Sequence, residues 1–210
     1  MNQITIRDVE VRDIPEIKVI IGTVWDWLDL IDDTLILDAT LGIYLNQVLY
    51  KATFGRVAIL NDKVVGTIFG SVDGAEPKYR MLLEDGSAHA LTLLGASEKN
   101  RKNVFEYLSR INNINEQLLS AAPGNYDGTL DFLILANESQ GSGIGKNLWM
   151  ALKSYFEKNG AKSVYLFSDT ECNVGFYEHY GFTRRGAQST AFDFGGDIFE
   201  TDIFLYDIQL

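Results

Sequence analysis

The chain is poor in the residues that build special chemistry. Of its 210 residues one is cysteine, Cys172, and two are histidine, His89 and His179. A lone cysteine closes no internal disulfide and supplies no cysteine-based metal site, so no metal is expected and a reducing cytoplasm is the default compartment. Three prolines and the absence of any glycine-rich period exclude a collagen-like or low-complexity chain. No apolar run approaches the ~20 residues that span a bilayer. The first residues, MNQITIRDVEVRD, are charged and lack the apolar segment of a signal peptide. Basic residues are scarce as well: 18 Lys and Arg face 29 Asp and Glu, a net charge of −11. Such a molecule repels nucleic acid and anionic membrane, and neither is expected as a partner. What remains, 46% hydrophobic and 22% charged, is an ordinary globular composition. With no repeat or linker, residues 1–210 read as a single domain, and a homodimer is left open.

The charge is unevenly spread. Val19 to Tyr50 carries Asp26, Asp29, Asp32, Asp33 and Asp38 without a Lys or Arg, whereas Gln140 to Arg185 is locally basic through Lys146, Lys153, Lys158, Lys162, Arg184 and Arg185. This suits an anionic ligand at the second stretch and a cationic one at the first. Solvated surface is the plainer reading of both.

Hydrophobic periodicity gives the order of elements. Ile4 and Ile6 mark a first strand. Asp13 and Pro15 open a helix through Ile17, Ile20, Ile21 and Val24. Leu28 to Asp38 reads as a connection, followed by a helix from about Ala39 to Tyr50. Arg56–Leu60 and Lys63–Val72 flank Asn61-Asp62 as a hairpin. Asp73 to Asp127 is a long insertion, loop-rich in its first half and helical in its second, stopped by Pro123-Gly124. Leu130–Ala136 is an apolar strand, Lys146–Lys158 an amphipathic helix, Ser163–Ser168 a strand and Asn173–Tyr180 a short helix. Two last strands, Thr183–Phe194 and Ile198–Asp207, join at Gly195-Gly196. The expected fold class is α/β: a mixed, mostly antiparallel sheet of about seven strands flanked by helices, with one parallel crossover and a partly helical insertion between the third and fourth strands.

The chemistry concentrates in Gln140-Gly141-Ser142-Gly143-Ile144-Gly145, between a strand and a helix. Glycines admit close approach of a backbone to a ligand. The first amides of the following helix lack internal partners and sit at the positive end of its dipole. Together they form an anion cradle for phosphate or pyrophosphate. The Walker A pattern fails, since Gly145-Lys146 is followed by Asn147 and Gln140 occupies its first glycine position. The dinucleotide fingerprint fails at its third glycine, where Lys146 stands.

Gln140-x-x-Gly143-x-Gly145 resembles the acetyl-CoA motif of the GNAT superfamily of N-acetyltransferases, Gln/Arg-x-x-Gly-x-Gly/Ala. Phe176-Tyr177-Glu178-His179-Tyr180-Gly181-Phe182 resembles that family's closing signature, one helix and one strand further on. The insertion Asp73–Asp127 is longer than the family usually carries. The resemblance implies a GNAT fold and acetyl-CoA as co-substrate. It implies that the loop Gln140, Gly141, Ser142, Gly143, Ile144, Gly145 and Lys146 holds the pyrophosphate. The edge of Leu133, Ile134 and Leu135 would pair with the pantetheine arm, and Tyr177 would be the acid that protonates the leaving thiolate. It implies transfer of acetyl to a primary amine by direct attack. A CoA-binding sensor without turnover and a protein or peptide acyltransferase are the alternatives.

Other residues carry two readings each. Asp131 matches a position where some family members place a base, and an unpaired carboxylate on an apolar strand would have a raised pKa. It equally fits an edge position opposite a face shared by Leu130, Phe132 and Ile134. Asn173 binds cofactor or caps its helix. Trp25, Asp26 and Asp29 fall where the family builds its acceptor site, and aromatic faces and carboxylates attract a small cationic amine. Two core tryptophans and a solvated loop fit as well. Ser168 and Asp169 are weaker candidates, and Cys172 reads as structural.

Overall fold

A computed structural model of the chain describes residues 4–27, 31, 33–193 and 198–210. Its strands are β1 (Thr5–Asp8), β2 (Phe54–Leu60), β3 (Lys63–Val72), β4 (Gly128–Leu135), β5 (Ser163–Asp169), β6 (Thr183–Asp193) and β7 (Ile198–Gln209). They form one seven-stranded sheet in the order β1-β2-β3-β4-β5-β7-β6. Every pairing is antiparallel except β4 with β5. The helices are α1 (Ile14–Val24), α2 (Thr34–Lys51), α3 (Gly86–Gly95), α4 (Glu98–Ser120), α5 (Ile144–Lys158) and α6 (Val174–His179).

Two cores lie on opposite faces. Ile17 and Ile21 of α1 and Leu45 and Leu49 of α2 pack with Val57, Phe69, Phe132 and Ile134 on one face. Ile144, Leu148, Trp149, Leu152 and Phe156 of α5, each at most 1% exposed, pack with Ile68, Leu130, Val164 and Tyr206 on the other. Each such side chain contributes about 1.5–3 kcal/mol of burial.

The N-termini of the helices show how local chemistry sets boundaries. α2 begins five residues before the expected Ala39. The cause is Asp33, whose carboxylate accepts from Leu35 N and Ile36 N and satisfies two amides that the helix itself cannot. Asp13 stands at the N-cap of α1 but does not cap it. Its carboxylate takes a two-pronged bond from Arg7, 2.7 Å on each side, and one from Glu10 N. Asn61 and Asp62 turn the β2–β3 hairpin with both φ positive, 51° and 61°, as a tight two-residue turn demands. The tip between β6 and β7, expected at Gly195-Gly196, lies outside the described residues.

The insertion is more ordered than its glycines suggest. Its first half contains α3, capped by Asp85 through Ser87 N and Ala88 N. Glu84 just before α3 meets the buried Lys18 of α1 at 2.9 Å and His89 at 3.2 Å, and Lys18 also meets Asp38 at 2.7 Å. The second half is α4, which lies on the α1–α2 face. Ile114 and Leu118 of α4 pack on Tyr165, Phe167, Ile203 and Leu205 of β5 and β7. No helix among the described residues is long and apolar enough to cross a membrane.

Candidate active site

The parallel contact between β4 and β5 is brief. Gly128 pairs with Val164 and Thr129 with Tyr165, and there the register ends. From Leu130 to Leu135 the β5-facing edge of β4 has no strand beside it, while β5 continues to Asp169 against β7. The two strands diverge and open a passage through the sheet.

On the α5 side of this passage lies the glycine segment. Gly141 and Gly143 adopt φ of 72° and 82°, and nothing stands within 4 Å of where a Cβ would be. Gly143 is the N-cap of α5, with no side chain covering the first amides. Lys146 and Asn147 are exposed in the first turn. Open space, free amides and a helix dipole thus coincide, which fits a pyrophosphate. Gly145 is buried instead, and a Cβ there would lie 3.3 Å from Leu135 and 3.4 Å from Phe176, so the glycine lets the start of α5 lie close under β4. Gln140 donates its amide to Asn137 and Ser142 its hydroxyl to the Ser139 carbonyl, which fixes the shape of the loop. Asn173 is exposed at the N-cap of α6 and its side chain does not cap. Tyr177 of α6 is 8% exposed, packed on Phe176, Phe182 and Tyr206. Burial, then the nearby Cys172 and Asp169, raise its phenol far above the usual value, so it stays protonated at any working pH.

On the opposite side is an aromatic cluster. The Trp25 ring lies 5.0 Å from Tyr44 and 5.8 Å from Phe132, and the Trp27 ring 5.5 Å from Tyr107 of α4. Asp26 between the tryptophans takes a φ of 52° and is exposed, so it does not join the cluster. Asp29 lies outside the described residues, as does Asp32. The carboxylate here is Asp169, at the end of β5. Its charge and Cys172 bear on Tyr44 and Tyr107 on this face and on Tyr177 on the other. Asp169 accepts from Glu171 N and Cys172 N, both at 3.0 Å. Burial and Asp169 push the Cys172 thiol up to about 12, which removes it as a nucleophile.

Asp131 corrects two expectations. A bulge in β4, opposite the Phe69–Gly70 step of β3, leaves Asp131 without a partner in the register, so β4 stops alternating there. Leu130 packs with α5, whereas Phe132 and Ile134 pack with α1 and α2. The three apolar residues therefore do not share a face. Nor is the carboxylate unpaired: its side chain is 0% exposed, Lys51 Nζ of α2 lies 2.7 Å from Oδ1, and Ser71 donates to Oδ2. Burial raises its pKa against Lys51 and Ser71, which favour the charged form.

Residues 99–193 match the family model described as an acetyltransferase (GNAT) domain. Over that stretch the chain carries a GNAT acetyltransferase domain. It is an acyltransferase and uses acetyl-CoA. Among solved structures the chain resembles in fold PH1933 from Pyrococcus horikoshii OT3, with 16% identity, 99% of each chain covered and a TM-score of 0.61. It also resembles yncA from Salmonella typhimurium, solved with its cofactor acetyl-CoA, with 16% identity, coverage of 100% and 95%, and a TM-score of 0.54. A third is an N-acetyltransferase from Staphylococcus aureus Mu50, with 13% identity, coverage of 99% and 98%, and a TM-score of 0.53. At these identities the structures carry the fold. No curated protein is significantly similar in sequence.

The sequence pointed to the glycine loop, β4 and Tyr177. It missed Tyr44 and Lys51 of α2, Tyr107 of α4 and Ser71 of β3, whose approach to the passage depends on the packing of those helices and on the β3–β4 pairing. The one legible signal was Lys51, a lone cation at the end of an apolar helix.

Proposed function

We propose that the protein transfers acetyl from acetyl-CoA to the primary amine of a small, cationic acceptor by direct attack. The observation that carries this is the passage between β4 and β5, with the glycine loop and Tyr177 on one side and an aromatic cluster with Asp169 on the other. In this reading the amides of Gly141 to Lys146 hold the pyrophosphate. The free edge of Leu133, Ile134 and Leu135 receives the pantetheine amides, and Asn173 lies beside them. The acceptor enters from the α2–α4 face. Its neutral amine attacks the thioester carbonyl, the N–C bond forms and the C–S bond breaks. The sulfur takes the Tyr177 proton, and the amine gives up its extra proton to water, from which Tyr177 is reprotonated. Burial weakens the phenol as an acid, and it also raises the proton affinity of a thiolate leaving into the same poorly solvated site, so the two effects oppose each other. Asp131 accepts the amine proton only by releasing Lys51, so it serves first to hold α2 against β4.

The test is release of CoA thiol from acetyl-CoA over a panel of amines and basic peptides, with Tyr177→Phe beside the wild type. Release with small amines and a fall of about 100-fold in kcat for Tyr177→Phe are expected. Full turnover by Tyr177→Phe across pH refutes its acid role. Thermal stabilisation by acetyl-CoA without release to any amine favours a sensor.

A further inference from the structure

We propose that the protein acetylates itself: Lys51, at the end of α2, accepts acetyl from acetyl-CoA bound in the passage of its own chain, with Asp131 taking the first proton. This rests on the acetyl-CoA reading of the passage and adds to it a modification site on the enzyme itself.

Three placements converge on Lys51. The first is that of its partner. β4 loses β5 after Thr129↔Tyr165, and Asp131 stands just beyond, where the two strands part. Lys51 Nζ lies 2.7 Å from Asp131 Oδ1, so an amine is held at the narrow end of the passage on the α2 side. The second is the direction of the donor. In the acetyl-CoA reading the pyrophosphate lies at the glycine loop, which follows β4 in the chain and runs into α5 close under Leu135. A pantetheine arm paired with Leu133 to Leu135 therefore runs back along β4 and carries its thioester toward Asp131. At the rise of a strand, Asp131 is about 7 Å beyond Leu133. The third is freedom of movement. The Asp131 side chain is 0% exposed and fixed, whereas that of Lys51 is 53% exposed, so only its head is tethered and its four-carbon stem can swing. Lys18 and Lys153 face carboxylates too, but in other settings. Lys18 is shut in by Asp38 and Glu84, and Lys153 meets Glu157 at the surface of α5.

The step balances within the pair. Lys51 rests as an ammonium: burial lowers its pKa, and the charge and bond of Asp131 more than restore it. Burial also raises the pKa of Asp131 against the same partner. Moving one proton from Nζ to Oδ1 removes both charges from a poorly solvated site and leaves a neutral amine. That amine attacks the thioester carbonyl carbon, the N–C bond forms and the C–S bond breaks. The sulfur takes the Tyr177 proton, and the nitrogen gives its second proton to water, from which Tyr177 is reprotonated. Lysine ammonium, aspartate and acetyl-CoA thus become acetyl-lysine, aspartic acid and CoA thiol, with no net change of charge. An amide beside a carboxylic acid then replaces the ion pair that ties α2 to β4.

The experiment incubates the full chain with trideuteroacetyl-CoA and follows each lysine by peptide mass spectrometry. The deuterium separates new acetyl from any acquired during expression, and rates are taken per unmodified lysine. Thermal stabilisation by acetyl-CoA is measured beside it. Lys51 is expected to gain label at least about 10-fold faster than Lys153, which reports uncatalysed acetylation of a surface amine. The rate per molecule should not change with protein concentration, as transfer within one chain requires. Excess CoA, which occupies the site but has no acetyl to give, should suppress label at Lys51 and leave Lys153 unchanged. Label at Lys51 no faster than at Lys153, or label that CoA does not suppress, overturns the inference. If acetyl-CoA still raises the melting temperature, the reading of the acetyl-CoA site stands. A rate that climbs with protein concentration also overturns the inference, because one molecule then acetylates another. Absence of both the label and the thermal stabilisation overturns the inference and the reading beneath it.

Discussion

Replacing Lys51 with methionine keeps the apolar stem of the side chain and removes its charge from the Asp131 carboxyl. That carboxyl is 0% exposed, with Lys51 Nζ at 2.7 Å and Ser71 donating to its other oxygen. Breaking a buried pair from one side costs about 3–5 kcal/mol. The Lys51 side chain is 53% exposed, so water partly replaces it and the lower figure of about 2–3 kcal/mol applies at pH 8. The cost depends on pH with a definite sign. Burial already holds the native Asp131 pKa above its unfolded value, and loss of Lys51 raises it further. Between the unfolded value of about 3.9 and the raised native one, the native state holds a proton that the unfolded chain has released. Stability then falls as pH rises, by up to about 1.4 kcal/mol per pH unit, and levels off above the native pKa. The variant has the wider window. Thermal melts should therefore nearly coincide near pH 4 and separate by about 4–12 °C at pH 8. Adding Asp131→Asn should close the gap, since no carboxylate is left stranded. A gap constant from pH 4 to 8, or one that survives Asp131→Asn, would refute the reasoning.

Three further outcomes are expected. Gly42→Ala places a Cβ 2.3 Å from His89 Nε2 and 2.8 Å from Glu84 Oε2, so the Lys18–Glu84 contact must shift. Overpacking of about 1–3 kcal/mol outweighs the ~1 kcal/mol gain of alanine in a helix, and a melting temperature above wild type would contradict it. Asp13→Asn removes the Arg7 pair, which lowers the Asp13 pKa against the opposing effect of burial. A depressed native pKa gives stability that is present above the unfolded value of about 3.9 and lost as pH falls through the native one. Melts of the two proteins should differ at pH 7 by about 1.5–3 kcal/mol and converge below pH ~3, and a difference that grows on acidification contradicts the assignment. Gly143→Asp adds a carboxylate at a left-handed position that aspartate tolerates, beside open space, so stability should stay within about 1 kcal/mol of wild type. Calorimetry should show acetyl-CoA binding at least about 10-fold weaker, and unchanged affinity would remove the loop from the site.

The order of elements and the glycine loop were legible because they rest on local signals. Period-two and period-3.6 patterns mark strands and helices, and Gly141 and Gly143 sit where left-handed backbone is required. Errors fell where a distant partner overrides a local rule. Asp13 looked like a cap, but Arg7 and Glu10 N claim its oxygens. Asp131 looked unpaired because Lys51 lies 80 positions away and a bulge in β4 cannot be read from one strand. Asp33 could have been recognised as the cap of α2, since the Asp-Thr start is a local signal. Tyr107 could not: an exposed-looking helix in an insertion gives no sign that Arg110 will moor it to β6.

The strand order also bears on how the molecule comes into being. β7 follows β6 in the chain yet lies between β5 and β6. A nascent chain that ends after β6 therefore presents β5 with a bare outer edge and β6 with no neighbour, an arrangement prone to pairing with other chains. When β7 arrives it pairs with both, Ser163↔Gln209 to Asp169↔Ile203 on one side and Thr183↔Asp207 to Asp193↔Ile198 on the other. The end of β5 that carries Asp169 gains its strand partner only then. Asp169 and Tyr177 are synthesised before β7, and their packing against Ile203 and Tyr206 is completed when β7 joins the sheet. A chain caught before β7 thus holds the residues of the site without the strand that braces two of them.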